Sequence, residues 1–164
     1  MISYWLNNQK HRSVIMYTLD SQLQQDTVYL GHFNLCDVLL MNDSQFPWVI
    51  LVPRRGSTSE LYQLSTEERY EQSDESAYVS QRLSDYFKAD SMNIAALGNV
   101  VPQLHIHHVV RKKDDLCWPK PIWGAVTAKP YAKADLEKIV DELKLLFSDR
   151  FVEDGQSQNA DELY

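Results

Sequence analysis

Three histidines lie within four positions of the segment "NVVPQLHIHHVVRKKDD" (99–115), at His105, His107 and His108. The whole chain has five histidines. Imidazole titrates near neutrality and acts as a nucleophile or as a metal ligand. The segment is therefore a candidate catalytic site or metal site, and the alternative is an ordinary polar strand.

Side chains alternate between the two faces of a strand, and this alternation sorts the histidines into two sets. Gln103, His105 and His107 share one face, where successive side chains are ~7 Å apart. That spacing suits a group with several oxygens, such as a phosphate. His108 falls on the opposite, apolar face, where we expect a partly buried, hydrogen-bonded histidine. The apolar residues of that face are Leu104, Ile106 and Val110.

The elements around this strand predict an α+β fold. Five short apolar or β-branched segments, bounded by turn-forming residues, are predicted strands. They span 27–33, 35–41, 48–52, 92–97 and 104–110. Two main helices are predicted from Ser65 to about Lys88, where Ser65 and Glu68 have capping-box spacing, and from Ala134 to Phe147. Antiparallel strands and two helices that pack together as two layers form an α+β fold.

Length and composition are those of one globular domain. The 164 residues are 44% hydrophobic, and we assign residues 1–150 to the domain and 151–164 to a flexible polar tail. The first 18 or so residues show no firm periodicity. A net charge of −7 argues against a clamp for the nucleic-acid backbone, because phosphate affinity comes from clustered Lys and Arg.

The chain is expected to be cytoplasmic. Cys36 and Cys117 form neither a CxxC pair nor a disulfide framework. Lys10, His11 and Arg12 stand where a signal peptide would need its apolar run, and no apolar run has the length of a membrane span.

The stretch "QLHIHHVV" resembles the motif of the histidine triad (HIT) superfamily, His–φ–His–φ–His–φφ with φ apolar. It departs from the motif at two positions: Gln103 stands at the first histidine, and His108 stands at an apolar position. The neighbouring segments also occur in the order seen in HIT proteins, and the resemblance extends over roughly residues 20–124. Those segments are "FPWVILVPRR", "ELYQLSTEER", "MNIAALGN" and "WPKPIWG".

The resemblance implies a HIT-like antiparallel sheet and a nucleotide hydrolase or transferase. His105 matches the histidine that attacks the α-phosphorus of a nucleotide and forms a nucleotidyl-histidine intermediate. One ring nitrogen must be free to attack, so the other should be held by a hydrogen bond, commonly to a backbone carbonyl. His107 matches the histidine that binds phosphate oxygens, where a protonated ring would stabilise developing charge. Gln103 would donate an amide hydrogen bond to the phosphate or to the leaving group, without a transferable proton.

The resemblance also implies residues that bind the nucleotide. Asn93 matches an asparagine that contacts phosphate or the leaving group, and Gly98 and Asn99 match a glycine-led turn near phosphate. Asn42 or Asp43 lies near the place of the ribose hydroxyls, and an Asx turn before Phe46 is an equal alternative. No cofactor or metal is expected. A homodimer in which the sheets of the two copies are joined is expected.

Two other functions stay open. His-x-His on a strand is a zinc spacing, although further ligands with a telling spacing are not evident. A nucleotide-binding HIT-like protein with little or no catalysis is the second, because Gln103 and Val100 replace residues that assist the leaving group. The segment "CWPKPIW" (117–123) would form either a pocket edge, a packing lid or a dimer contact.

Overall fold

The computed structural model describes residues 16–56 and 58–153. Within these ranges the chain forms five strands, three α-helices and one 3-10 turn at Leu61–Gln63. The strands are β1 (Thr27–His32), β2 (Cys36–Met41), β3 (Trp48–Pro53), β4 (Ser91–Ala96) and β5 (Ile106–Arg111). The helices are α1 (Ser21–Asp26), α2 (Thr66–Phe87) and α3 (Lys133–Leu146). None of the described helices is both long and apolar enough to cross a bilayer.

The five strands form one antiparallel sheet in the order β1-β2-β3-β5-β4, which confirms the predicted α+β fold. The capping box of α2 is also confirmed, since Ser65 and Glu68 exchange side-chain to backbone hydrogen bonds. The sequence analysis missed α1. This helix has six residues, too few for a periodic pattern, and begins where the Asp20 carboxylate accepts a hydrogen bond from the backbone N–H of Gln22.

Both faces of the central strands are covered, which explains their continuous apolar sequences. One face packs on α2 and α3, where Val79, Leu83, Leu143 and Phe147 lie in the same core cluster as alternate residues of β2, β3 and β5. The opposite face forms a second cluster with side chains from loops and from α1. Its buried members are Leu23, Leu39, Phe46, Trp48, Ile50, Val52, Val101, Val109, Cys117 and Ile122.

The chain after α3 returns to the sheet at Phe151. Its ring stacks on Phe33 with centroids 5.4 Å apart, and the backbone N–H of Val152 donates to the carbonyl of His32 at 3.0 Å. Gly31 has a φ of +155°, and a Cβ there would lie 2.8 Å from the Phe151 ring, so this approach requires glycine. Packing therefore continues past residue 150, the predicted end of the domain. Residues 154–164 of the predicted tail lie outside the described residues, as do residues 1–15.

Glu75 of α2 fixes the turn between β1 and β2. Its carboxylate is fully buried and accepts hydrogen bonds from the backbone N–H groups of Leu35 and Cys36 at 2.9 and 3.1 Å. Burial raises the pKa of this carboxyl. Both amides lie in the core, and this carboxylate on α2 is the acceptor that each of them uses.

Glu75→Ala should lower the free energy of unfolding by about 2–4 kcal/mol, because two buried N–H donors lose their acceptor. Urea denaturation measures this loss. Asp85→Ala, at an exposed position of the same helix, serves as the control and should change stability by less than about 0.5 kcal/mol. Equal losses in the two variants would show that the buried contact does not stabilise the turn.

Candidate active site

β5 and the residue before it place His105 and His107 on the sheet face that points away from α2 and α3. β5 pairs with β3 on one side and with β4 on the other, so that His107 lies opposite Ile50 and Ala95. The two imidazole rings meet edge to face with centroids 4.8 Å apart. Both residues are at least nine-tenths buried. The pairing predicted from strand alternation is thus present.

A single hydrogen bond determines the tautomer of His105. Its Nδ1 lies 2.7 Å from the backbone carbonyl oxygen of Gln103. A carbonyl only accepts, so Nδ1 must carry the proton and donate it. In the neutral ring, Nε2 then keeps its lone pair. This is the bond to a backbone carbonyl that we expected for a nucleophilic histidine.

His107 takes the opposite tautomer. The indole N–H of Trp48 donates to Nδ1 of His107 at 3.0 Å, and the two rings are 5.3 Å apart. Because an indole N–H only donates, Nδ1 must be unprotonated and the ring proton sits on Nε2. His107 therefore offers an N–H donor at Nε2.

His107 is neutral at physiological pH. Burial, together with the neighbouring rings of His105 and His108, lowers its pKa to about 3. The protonated imidazole that we expected at this position is therefore not its form in the structure. A neutral ring can still donate one hydrogen bond from Nε2.

His108 points to the other side of the sheet, as alternation predicted. It is fully buried, and its Nε2 lies 2.6 Å from the hydroxyl of Ser76 on α2. Burial lowers its pKa to about 4. His108 thus ties β5 to the helix layer, which confirms the prediction of a hydrogen-bonded core histidine.

A pocket of about 310 Å³ opens beside the two histidines. Its walls are mostly apolar and aromatic, and its polar groups come from α1, the start of β1 and the loop after β4. The lining residues are Gln22, Leu23, Asp26, Thr27, Met41, Trp48, Ile50, Leu97, Asn99, Val100, Val101, His105, His107 and Trp123. The sequence analysis did not identify Trp48, Gln22 or Asp26. Trp48 lies in a strand that is apolar on both faces, so its type and spacing did not distinguish it from core residues. The local signal for α1 was Asp20 at the N-cap position.

The Gln103 amide is hydrogen-bonded to the backbone of the segment before α1. The side-chain oxygen accepts from the backbone N–H of Asp20 at 2.8 Å, and the side-chain nitrogen donates to the carbonyl of Thr18 at 3.0 Å. A hydrogen bond from this amide to a phosphate would have to come from its second N–H, because the other N–H is used by Thr18. The backbone carbonyl of Gln103 accepts the hydrogen bond from His105.

Three predicted nucleotide-binding residues are engaged away from the pocket. Asn93 accepts a hydrogen bond from Arg111 at 2.6 Å. Asn42 accepts from the backbone of Tyr131 at 3.1 Å, and Asp43 accepts from the backbone of Gln45 at 3.1 Å. The Asp43 contact is the Asx turn that was the alternative to ribose binding. The Asn42 and Asp43 side chains stabilise loops, the Asn93 side chain joins β4 to β5, and none of the three lines the pocket.

Gly98 and Asn99 lie close to His105. Asn99 lines the pocket, and Gly98 lines a smaller recess of about 60 Å³ on another side of His105. The backbone does not require glycine at position 98: a Cβ there would meet only the carbonyl of Val101, at 3.9 Å. Val100 is almost fully exposed at the pocket rim and has no polar group for a leaving group.

The segment 117–123 serves both packing and the pocket edge. Cys117 and Ile122 are buried in the second core cluster. Trp123 lines the pocket, with its ring 5.7 Å from that of His107 and 6.2 Å from that of Trp48. Trp118 instead packs on the guanidinium of Arg111, 5.7 Å away.

The described residues contain no cluster of three or more His, Cys, Asp or Glu side chains arranged to hold a metal ion. His105 and His107 each use Nδ1 for a hydrogen bond within the protein. The alternative of a His-x-His metal site thus gains no third ligand from this part of the chain.

The chain matches known proteins in sequence and in fold. A family model of the HIT domain matches residues 22–114. A solved histidine triad protein from Marinobacter aquaeolei is 44% identical, with 82% of this chain and 98% of that chain covered and a TM-score of 0.80. One from Bradyrhizobium japonicum is 33% identical, with 84% and 99% covered and a TM-score of 0.77.

Diadenosine triphosphate hydrolase from Plasmodium falciparum shares the fold at 15% identity, with 90% of this chain and 92% of that chain covered and a TM-score of 0.58. A search of curated proteins found no match.

Trp48→Phe should move the pKa of His107 from about 3 towards its usual range, because Nδ1 loses the N–H donor that opposes its protonation. The ring nitrogen shifts of His107, followed by NMR between pH 8 and pH 4, measure this change. Wild-type His107 should stay neutral down to pH 5.

Trp123→Phe is the matched control. Trp123 also packs on His107, but its indole nitrogen has no hydrogen-bond partner among the described residues. A wild-type His107 that titrates near pH 6.5, or the same shift in both variants, would contradict the role of the Trp48 hydrogen bond.

Proposed function

Because the chain belongs to the HIT family, we propose that it is a nucleotide hydrolase or transferase in which His105 attacks the α-phosphorus of a nucleotide conjugate. The observation that carries this proposal is the hydrogen bond from Nδ1 of His105 to the carbonyl of Gln103. It leaves a lone pair on Nε2 of a neutral ring beside a pocket. A neutral imidazole in this state is a good nucleophile near pH 7.

The proposed reaction has two displacements. Nε2 of His105 forms a bond to phosphorus while the bond from phosphorus to the leaving group breaks, and the leaving group takes the electron pair. Water then attacks the same phosphorus, releases the nucleoside monophosphate, gives its proton to the solvent and restores His105. Another acceptor in place of water would make the reaction a transfer. Dividing the reaction into two steps lowers each barrier.

His107 acts in this scheme as a hydrogen-bond donor to a phosphate oxygen. Its Nδ1 accepts from Trp48, so release of the Nε2 proton would leave an imidazolate, which is too basic to form at neutral pH. Leaving groups that depart as stable anions, such as a nucleotide phosphate, therefore suit this site better than amines, which must take up a proton. Gly98 and Asn99 would supply polar contacts to phosphate near His105.

The pocket fits the nucleoside. The rings of Trp48 and Trp123 and the side chain of Ile50 offer apolar surface to a planar base. Asp26 and Gln22 line the same pocket, and we assign the ribose hydroxyls to them, because Asn42 and Asp43 are engaged elsewhere. The Asp26 carboxylate already accepts from the Gln22 amide at 2.8 Å and has capacity for further donors.

His105→Asn should abolish release of nucleoside monophosphate, with a loss of at least about a thousandfold in kcat, because the nucleophile is gone. Asn can still donate to the carbonyl of Gln103 and so keeps the local structure. The assay uses adenosine and guanosine phosphoramidates and dinucleoside polyphosphates, in a buffer with EDTA. The polyphosphates should be the faster substrates of the wild type.

Tyr70→Ala, at an exposed position of α2, is the control and should keep wild-type activity. Equal rates in His105→Asn and the wild type would refute the assignment of His105 as the nucleophile. Activity that depends on added zinc would instead support the metal site.

The second candidate function is nucleotide binding with little or no catalysis. It is favoured by Gln103, whose amide bonds to the backbone of Thr18 and Asp20 and has no acidic proton for a leaving group. A tight complex with a mononucleotide, without turnover of any conjugate, would support it.

We also propose that the protein works in the cytoplasm as a homodimer joined through β4. This strand is one edge of the sheet, and Ile94 in it is 51% exposed. An edge strand presents unpaired backbone groups that pair with a second strand.

Ile94→Asp should convert the dimer to a monomer, because a charge on this edge opposes close pairing of two copies. Size-exclusion chromatography with light scattering measures the mass. Leu145→Asp, on the exposed side of α3, is the control and should remain dimeric. A monomeric wild type would refute the proposed assembly.

A further inference from the structure

Gln103 binds the chain before α1 in the way that a neighbouring strand would. Its amide accepts from the N–H of Asp20 and donates to the carbonyl of Thr18, on the two sides of Leu19. These are the two groups that a strand residue uses to pair with a parallel neighbour. A primary amide presents its acceptor and its donor side by side, as a peptide group does. The two nitrogens of an imidazole point away from each other and match this pair of groups poorly.

The segment held by Gln103 leads directly into the wall of the pocket. Asp20 caps α1 through its hydrogen bond from the N–H of Gln22 at 2.8 Å. Two residues of α1, Gln22 and Asp26, line the pocket together with Leu23, which is buried. The position of α1 therefore depends on where Asp20 is held.

Other contacts fix the same segment farther from the histidines. The hydroxyl of Tyr17 donates to the Asp37 carboxylate at 2.6 Å, and Tyr17 and Leu19 pack on the second core cluster. These contacts hold the segment on the sheet. Gln103 is the residue that connects it to the catalytic pair, since its own carbonyl holds His105.

We propose that Gln103 is a positioning residue that sets the distance between the nucleophile His105 and the wall of the pocket formed by α1. Its backbone carbonyl orients His105, and its side chain holds the chain that carries Gln22 and Asp26. The pocket thereby selects the nucleoside half of the substrate by a fixed gap between the wall and the nucleophile. This effect on selectivity rests on the proposed function, whereas the structural link from Gln103 to α1 does not.

Hydrogen exchange tests the link without any substrate. In Gln103→Ala, the amide of Asp20 should exchange at least about tenfold faster, because it loses its acceptor. The amides of α1 should exchange faster by a similar factor, because the N-cap residue Asp20 is no longer held. Amides of β5 should be unchanged. Gln103→Glu keeps an acceptor for Asp20 but cannot donate to Thr18, and it should give an intermediate rate. Gln45→Ala is the matched control: the Gln45 amide donates to Asp43 and to the Thr127 carbonyl, and its loss should leave α1 unaffected.

Kinetics test the role in selection. With the best conjugate of the panel, Gln103→Ala should raise KM about tenfold and leave kcat within about twofold, because His105 keeps its backbone acceptor. Adenosine monophosphate should bind the variant about tenfold more weakly in a calorimetric titration. Gln103→His should behave like Gln103→Ala in exchange.

Exchange at Asp20 and α1 that is the same in Gln103→Ala and the wild type would overturn the link. A fall in kcat at constant KM would also overturn the positioning role and place Gln103 at the reacting atoms. If the wild type neither binds nor hydrolyses nucleotides, the proposed function and the selectivity both fail, and the exchange rates still decide whether the link exists.

Discussion

β5 is hydrogen-bonded on both sides, to β3 and to β4, so its side chains have only two directions in which to point. One direction leads into the helix layer and the other into the pocket. His108 points into the helix layer, where it is hydrogen-bonded to Ser76 of α2. His107 points into the pocket, beside His105, which lies just before the strand. The same backbone supplies the carbonyl of Gln103 that orients His105. Pairing of this strand therefore decides the direction in which each of its side chains points.

Two imidazoles with centroids only 4.8 Å apart avoid mutual repulsion because the protein keeps His107 neutral. Their tautomers are opposite, since His105 donates from Nδ1 to a carbonyl and His107 accepts at Nδ1 from an indole. The pair thus has one free lone pair and one free N–H, both on Nε2. One ring therefore offers a lone pair and the other offers a hydrogen-bond donor. The two partners that fix this arrangement, a backbone carbonyl and an indole N–H, are not themselves acids or bases.

Gln103 connects two parts of the site, because its side chain and its backbone carbonyl bind different segments. A primary amide can substitute for a strand neighbour, and here it pairs with the backbone around Leu19. The chain before α1 is thereby attached to the residue that orients His105. The wall of the pocket and the nucleophile then belong to one connected unit, which also includes the cap of α1 at Asp20. The amide has no acidic proton to give, and one of its two N–H groups is used by Thr18.

The sequence by itself determined the fold class, the strands, both long helices, the sorting of the three histidines and the family. These features follow from local periodicity, capping and a motif, all of which act over a few residues. Only the tertiary structure decided what the polar side chains contact. Asn42, Asp43 and Asn93 fit a nucleotide site by position, yet they bond to the distant Tyr131, the nearby Gln45 and Arg111.

Trp48 is a pocket residue whose contact with His107 could not be predicted from the sequence. In the sequence it is one apolar residue in a strand covered on both faces, and its neighbour across the sheet is not evident. Pairing of β3 with β5 brings its indole N–H to His107, 59 positions away, and so determines which nitrogen of that histidine carries the proton. Hydrogen bonds between distant residues depend on sheet order and register, and neither is encoded in the spacing of residues along one strand.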